Sequence, residues 1–323
     1  MNSKMILGQY YNVDSWIHRL DPRTKLISLF LLMIGIFIIS DILLLTIALG
    51  LILILVISSK VPITRFLKSL KIMAALLIFT MIFQVLFNTQ GTIIQSYQFD
   101  MKIINIAIIV GLLIVYFLLG KITKKFRMFT FLVFVVLAMY LQTITLPTNS
   151  LFTYQINIYD QGLESAVKVL LRIINLITLS SLLTLSTKPT DMSNGLESIT
   201  KPLKYIGVNV SILAMMVSIA LRFIPTLINE ANRILKAQAS RGVDFQEGNL
   251  NDKVKQIVSL LIPMFVISYR RAGDLANAME ARGYIPGAMR TKINELKYRA
   301  SDIIVIVSTI IILAGTIVLK YAL

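Results

Sequence analysis

The sequence predicts an all-α integral membrane protein with about seven transmembrane helices and two further long helices on the cytoplasmic side. Three observations lead there. The 323 residues are 56% apolar, with a mean hydropathy of +0.79, which belongs to the polytopic membrane class. The apolar residues gather in runs at about 25–39, 41–58, 72–87, 102–120, 128–146, 163–187 and 301–320. Each crosses or nearly crosses a hydrocarbon core that needs about 20 helical residues. The basic residues gather between those runs, and all but a few fall on one side.

Taken in order, Lys4, Arg19, Arg23 and Lys25 precede the first run. That run and the third are short, so their helices are expected to tilt little or to begin inside the flanking polar residues. Lys60, Arg65, Lys68 and Lys71 separate the second and third runs, and Lys121, Lys124, Lys125 and Arg127 the fourth and fifth. With the cluster from Lys188 to Arg299, 28 of the 32 basic residues lie inside when the N-terminus is cytoplasmic. Residues 1–11 are polar and lead into no cleavable signal pattern. The net charge of +16 is therefore read as membrane topology and lipid-headgroup contact, not as a nucleic-acid surface. The chain divides into an N-terminal membrane region (1–187), a polar region (188–300) and a last transmembrane helix (301–323).

Composition removes most chemistry. Without cysteine there is no disulfide, thiolate metal site or Cys nucleophile. His18 is the single histidine, which excludes His-cluster metal sites and weakens general-base schemes. No metal or cofactor is expected.

Within 188–300, the apolar stretches 211–228 and 257–268 resemble a transmembrane hairpin. That reading would export Arg233, Lys236, Arg241, Lys253 and Lys255, against the charge rule. Each stretch also continues into an amphipathic, charged segment. The pattern predicts helices over about 209–240 and 252–281, lying along the cytoplasmic face with their apolar parts toward the bilayer. Pro225 and Pro263 fall inside them, and each is expected to kink its helix. The two helices form a diverged repeat: Ile-Pro, a helical stretch, then Ala-x-x-Ala/Ser-Arg-Gly. It ends in Ser240-Arg241-Gly242 and in Ala281-Arg282-Gly283. Glycine after the arginine supplies a left-handed helix end. The arginines then have two readings, simple compensation of the helix dipole or a planar fork offered to a partner's carboxylates and carbonyls.

Gly8-Gln9-Tyr10, followed by His18-Arg19-Leu20-Asp21-Pro22-Arg23-Thr24-Lys25, resembles the N-terminal signature of the transmembrane T-component of energy-coupling factor (ECF) transporters. Ser218-Ile219-Ala220-Leu221-Arg222-Phe223-Ile224-Pro225, Lys236-Ala237-Gln238 and Asp244-Phe245 resemble its coupling-helix segment. Arg270-Arg271-Ala272 and the run from Ala278 to Tyr284 match as well. The likeness covers most of 8–100 and 155–290. It implies a scaffold in the plasma membrane of a prokaryote, serving vitamin or micronutrient uptake. Its partners would be two cytoplasmic ATP-binding-cassette (ABC) ATPases and a separate substrate-binding membrane subunit, the S-component. Each arginine-centred triplet would sit in a groove on one ATPase; Ser240 stands where the family usually has Ala. The paired spans within about 101–150 have no place in that common core and read as an inserted, lipid-facing helical hairpin.

Other residues carry less. Asp21-Pro22 alone reads as a helix cap with proline at the first helical position. Met192, Met215, Met216, Met264 and Met279 suit a surface that repacks, or ordinary membrane packing. Lys168 and Arg172 sit one turn apart on the outer side and are expected to snorkel. A membrane-embedded enzyme would need a catalytic constellation, and no His pair, Gly-x-Ser-x-Gly or aspartate dyad occurs. A self-contained secondary carrier would need ionisable midplane groups, and the spans are nearly charge-free. No Walker A loop is present, so ATP hydrolysis is expected elsewhere.

Overall fold

The computed structural model describes residues 10–102, 109–116, 133–134, 137, 150–207, 209–243, 249–286 and 296–322. Over these the chain is mostly helical. In order come α1 (Trp16–Arg19), α2 (Pro22–Ile38), α3 (Ile42–Ser58), α4 (Ile63–Phe87), strands β1 (Ile93–Lys102) and β2 (Ser150–Tyr159), α5 (Asp160–Ser186), α6 (Pro189–Thr200), α7 (Val210–Ser240), α8 (Leu250–Ala281) and α9 (Ala300–Ala322). As expected, α2 and α4 begin upstream of their apolar runs, so α4 takes in Arg65, Lys68 and Lys71.

Among the described residues four helices are long and apolar enough to cross a membrane: Ile63–Phe87, Asp160–Ser186, Val210–Ser240 and Ala300–Tyr321. The third is α7, which charge placed along the cytoplasmic face. Length and hydropathy alone would let it span. α3 is apolar along its whole 17 residues but shorter. Its large side chains Leu43, Ile47, Leu51 and Ile54 are exposed, as are Ile72, Phe79 and Phe83 on α4. Only a hydrocarbon solvent makes such surfaces stable.

Two elements depart from the expectation. The strands pair antiparallel, with Tyr97 opposite Ile156, Phe99 opposite Tyr154 and Gln98 opposite Gln155. The signal was a period-2 alternation, visible in Phe152, Tyr154, Ile156 and Ile158 alternating with Thr153, Gln155 and Asn157. A search for span-length apolar runs passes over it and starts a span at Lys102, which instead ends β1. The class is thus helical with one added strand pair. The second addition is amphipathic α6, begun by Pro189 at its first position and followed by a 3-10 turn at Lys201–Ile206. The greater part of the 101–150 hairpin lies outside the described residues; 109–116 is helical.

The chain divides into two compact units, Met1–Leu32 with Ser58–Val61 and Leu182–Ala314, and Met33–Ile57 with Pro62–Ser181 and Gly315–Leu323. In the first, buried polar groups tie the N-terminal segment down. Asp21 Oδ1 accepts the Arg23 N–H at 2.8 Å, the cap that Asp-Pro announces. Asp302, fully buried, accepts the Asp21 N–H at 2.9 Å and the Arg299 N–H at 2.7 Å, so one carboxylate serves the starts of both α2 and α9. Lys25 Nζ donates to the carbonyls of His18 at 3.2 Å and Ser186 at 3.1 Å. Gly195 of α6 lies against Pro22 and Arg23, where an added Cβ would meet Pro22 at 3.1 Å.

In the second unit α5 carries the polar contacts. Arg172 Nη2 donates to the Ile39 carbonyl just beyond α2 at 2.7 Å, and buried Asn175 donates to the Leu45 carbonyl at 3.1 Å. Lys168 pairs with Glu164 at 2.8 Å. Arg172 thus serves the carbonyl at the end of α2. Asn175 went unnoticed in the sequence because a lone Asn in a span has no periodic signal.

Candidate partner-docking site

Helices α7 and α8 contact each other, and α7 also packs on α6. Pro225 and Pro263 lie inside unbroken helices. α8 starts with a capping box between Asn249 and Asp252, while the Asn249 cap of α8 has no counterpart side-chain bond at the Asn209 start of α7.

The C-terminal ends are geometrically alike. Arg241 has φ −89° and ψ 8°, and Arg282 has φ −89° and ψ 9°. Gly242 (φ 90°) and Gly283 (φ 71°) then take the left-handed conformation. At the first end the Gly242 N–H reaches Ala239 at 3.0 Å and the Val243 N–H reaches Gln238 at 3.1 Å. At the second, Gly283 reaches Glu280 at 2.9 Å and Tyr284 reaches Met279 at 3.0 Å. Both are Schellman closures. They use two of the end carbonyls of each helix, Gln238 and Ala239 in α7 and Met279 and Glu280 in α8, and both arginines are exposed with Ser240 and Ala281 beside them. The Ser240 hydroxyl donates back to the Lys236 carbonyl at 3.1 Å. The middle of α8 is apolar and exposed, with a shallow groove along Leu261, Ile262, Phe265 and Val266.

The N-terminal signature has its own chemistry. His18 Nε2 lies 3.0 Å from the Tyr11 carbonyl and Nδ1 lies 2.7 Å from Ser15 Oγ, which fits a neutral ring donating from Nε2 and accepting at Nδ1. Tyr11 N–H in turn donates to the Leu185 carbonyl at 2.9 Å. Burial pushes the His18 pKa below its ordinary value, against the bond to Tyr11, which favours the cation. Arg19 grips Asp14 with two bonds, at 3.0 and 2.9 Å, and holds that carboxyl below the usual range. Both groups are well exposed, so this pair orders the segment more than it stabilises the fold.

The family model described as cobalt transport protein (CbiQ) matches residues 13–123 and 99–293. The energy-coupling factor transporter transmembrane protein EcfT of Bacillus subtilis (strain 168) is 35% identical over 315 residues, covering 97% of this chain and 97% of its own. This chain belongs to the EcfT family. The Lactococcus lactis subsp. cremoris (strain MG1363) member is 36% identical over 95% of this chain and 94% of its own, and the Listeria innocua member 34% over 95% of each. An EcfT protein is the transmembrane component of an energy-coupling factor transporter, a transport subunit without catalysis of its own.

Proposed function

We propose that this EcfT protein is the scaffold that couples two cytoplasmic ABC ATPases to a separate substrate-binding membrane subunit, for uptake of a vitamin or other micronutrient. Ser240-Arg241-Gly242 docks one ATPase and Ala281-Arg282-Gly283 the other. The observation that carries this reading is the twin Schellman end: two exposed arginines in one backbone geometry, with the Gln238 and Ala239 carbonyls at one end and those of Met279 and Glu280 at the other already satisfied. Arginine's fork is thereby left for a partner's carboxylates and carbonyls.

In this reading the chain spans the bilayer seven times with its N-terminus inside. α7 and α8 act as coupling helices on the cytoplasmic side, kinked at Pro225 and Pro263, and residues 101–150 form a peripheral hairpin. ATP-driven motion of the ATPases passes along α7 and α8, whose exposed apolar middles face the bilayer or the substrate-binding subunit. Arg222, Glu230, Arg233 and Lys236 favour α7 outside the hydrocarbon despite its hydropathy.

Replacing both arginines (R241E with R282E) is expected to abolish recovery of the ATPases with the tagged protein while membrane insertion stays normal. Normal recovery of both ATPases would sink the docking role. Because the chain lacks cysteine, a single Cys placed at 233 reports topology cleanly: labelling from the cytoplasmic side only is expected.

A further inference from the structure

We propose that the two arginine ends are told apart by the charge of the helix just before them. The α7 end selects the ATPase whose docking groove has an acidic rim, and the α8 end the one whose rim is basic. This rests on the docking role proposed above and adds to it which partner goes where.

Aligning the helices on Arg241 and Arg282 pairs every position at an offset of 41 residues. The burial pattern follows that register. Ile234 and Leu275 are half-buried, as are Gln238 and Met279, while Lys236 and Asn277 are exposed. The backbone closures match bond for bond. Charge does not match. Arg233 stands where α8 has Asp274, Lys236 where it has Asn277, and Ala239 where it has Glu280; all six are exposed. Residues 233, 236 and 240 share one helix face at the i, i+3, i+7 spacing, as do 274, 277 and 281; Ala239 and Glu280 lie off that face, within the last turn before the arginine. The nine residues before Arg241 thus carry two positive side chains and no negative one; the nine before Arg282 carry two negative and no positive one. One turn further back the inversion recurs with opposite signs, Glu230 against Arg271.

The obvious alternative discriminator is Ser240 against Ala281. Its hydroxyl proton is already committed to the Lys236 carbonyl, so the serine offers a partner only acceptor lone pairs and no spare donor. Charge is the larger difference. Eight helical residues span about 12 Å, close to the roughly 8–10 Å screening length at physiological salt. A partner seated on either arginine therefore feels the flanking pair. Rim charges of this kind govern on-rate, register and rejection of the wrong partner more than they add affinity.

The test exchanges the flanks and leaves Arg241, Arg282 and both glycines in place. One variant carries R233D, K236N and A239E; another carries D274R, N277K and E280A; a third carries all six. Each is expressed with its native ATPases, and a photo-cross-linker at position 243 or 284 reads which ATPase sits at each end. The wild type should cross-link one ATPase species from 243 and a different one from 284. The first variant should lose its own ATPase about tenfold at low salt, the second the other, and the six-fold exchange should recover both with the cross-links swapped. One ATPase species at both ends, or unchanged recovery and cross-links in all three variants, would overturn the charge rule while leaving arginine docking intact. Failure of docking itself shows separately, as ATPase recovery that survives R241E with R282E.

Discussion

At the scale of single residues, function and stability separate cleanly. Arg241 and Arg282 are exposed and add little to folding, whereas buried Asp302 satisfies two backbone N–H groups at once. Replacing it with alanine leaves both unpaired, at about 1–3 kcal/mol each. D302A should therefore lower the detergent-solubilised melting temperature markedly, and D302N should also lower it, since the amide keeps one acceptor oxygen and sets a donor against the second N–H; equal melting of D302A and wild type would remove Asp302 from this role. His18 makes the fold sensitive to acid. Its folded pKa lies below the ordinary value of about 6.5, so the unfolded chain binds the proton more readily. Stability should hold above that pH, fall as pH drops through it, and level off below the folded value. H18Q should flatten that part of a melting-temperature profile; a slope unchanged by the substitution would trace the effect to another group. Asp21 as a cap was readable from Asp-Pro. Asp302 was not, because its partners lie 281 positions away in sequence for Asp21 and only the fold brings them together.

At the scale of elements, α7 and α8 were legible from amphipathic periodicity, from glycine after arginine and from the charged continuation of each apolar stretch. G242A and G283A should each cost about 1 kcal/mol by forcing a Cβ into the left-handed region. They should weaken ATPase retention at one end each, read by the same cross-links. G195A tests a tertiary constraint instead: its Cβ would press on Pro22 at 3.1 Å, and α6 must give way. A measurable loss of melting temperature is expected there, against none for G50A, where the space is open. The β1–β2 pair was missed because ten-residue alternating strands sit beside long apolar runs that dominate any hydropathy window. α6 was missed for a related reason: 12 residues, polar on balance, carry too little pattern to stand out from a loop.

At the scale of the whole molecule, the chain is the transmembrane component of a transporter, without catalysis of its own. Removing residues 101–150 is expected to leave ATPase recovery unchanged, and loss of recovery would make that segment part of the coupling core. Affinity purification from the native membrane should bring two ATPases and a small membrane subunit with the tagged chain. The sequence by itself determined the helical membrane class, the family and the two Arg-Gly ends, and it grouped the basic residues between the apolar runs. These are local or compositional signals: a 20-residue apolar run, a cluster of lysines and arginines, a glycine that alone tolerates positive φ. Only the tertiary structure decided which polar groups are spent on folding and which stay exposed. Asp302, Asn175 and the Ser240 hydroxyl are satisfied inside the molecule, while Arg241 and Arg282 follow closures that have already used their neighbours' carbonyls. Hydrogen-bond satisfaction depends on distance in space, which hydropathy and spacing along the chain do not encode.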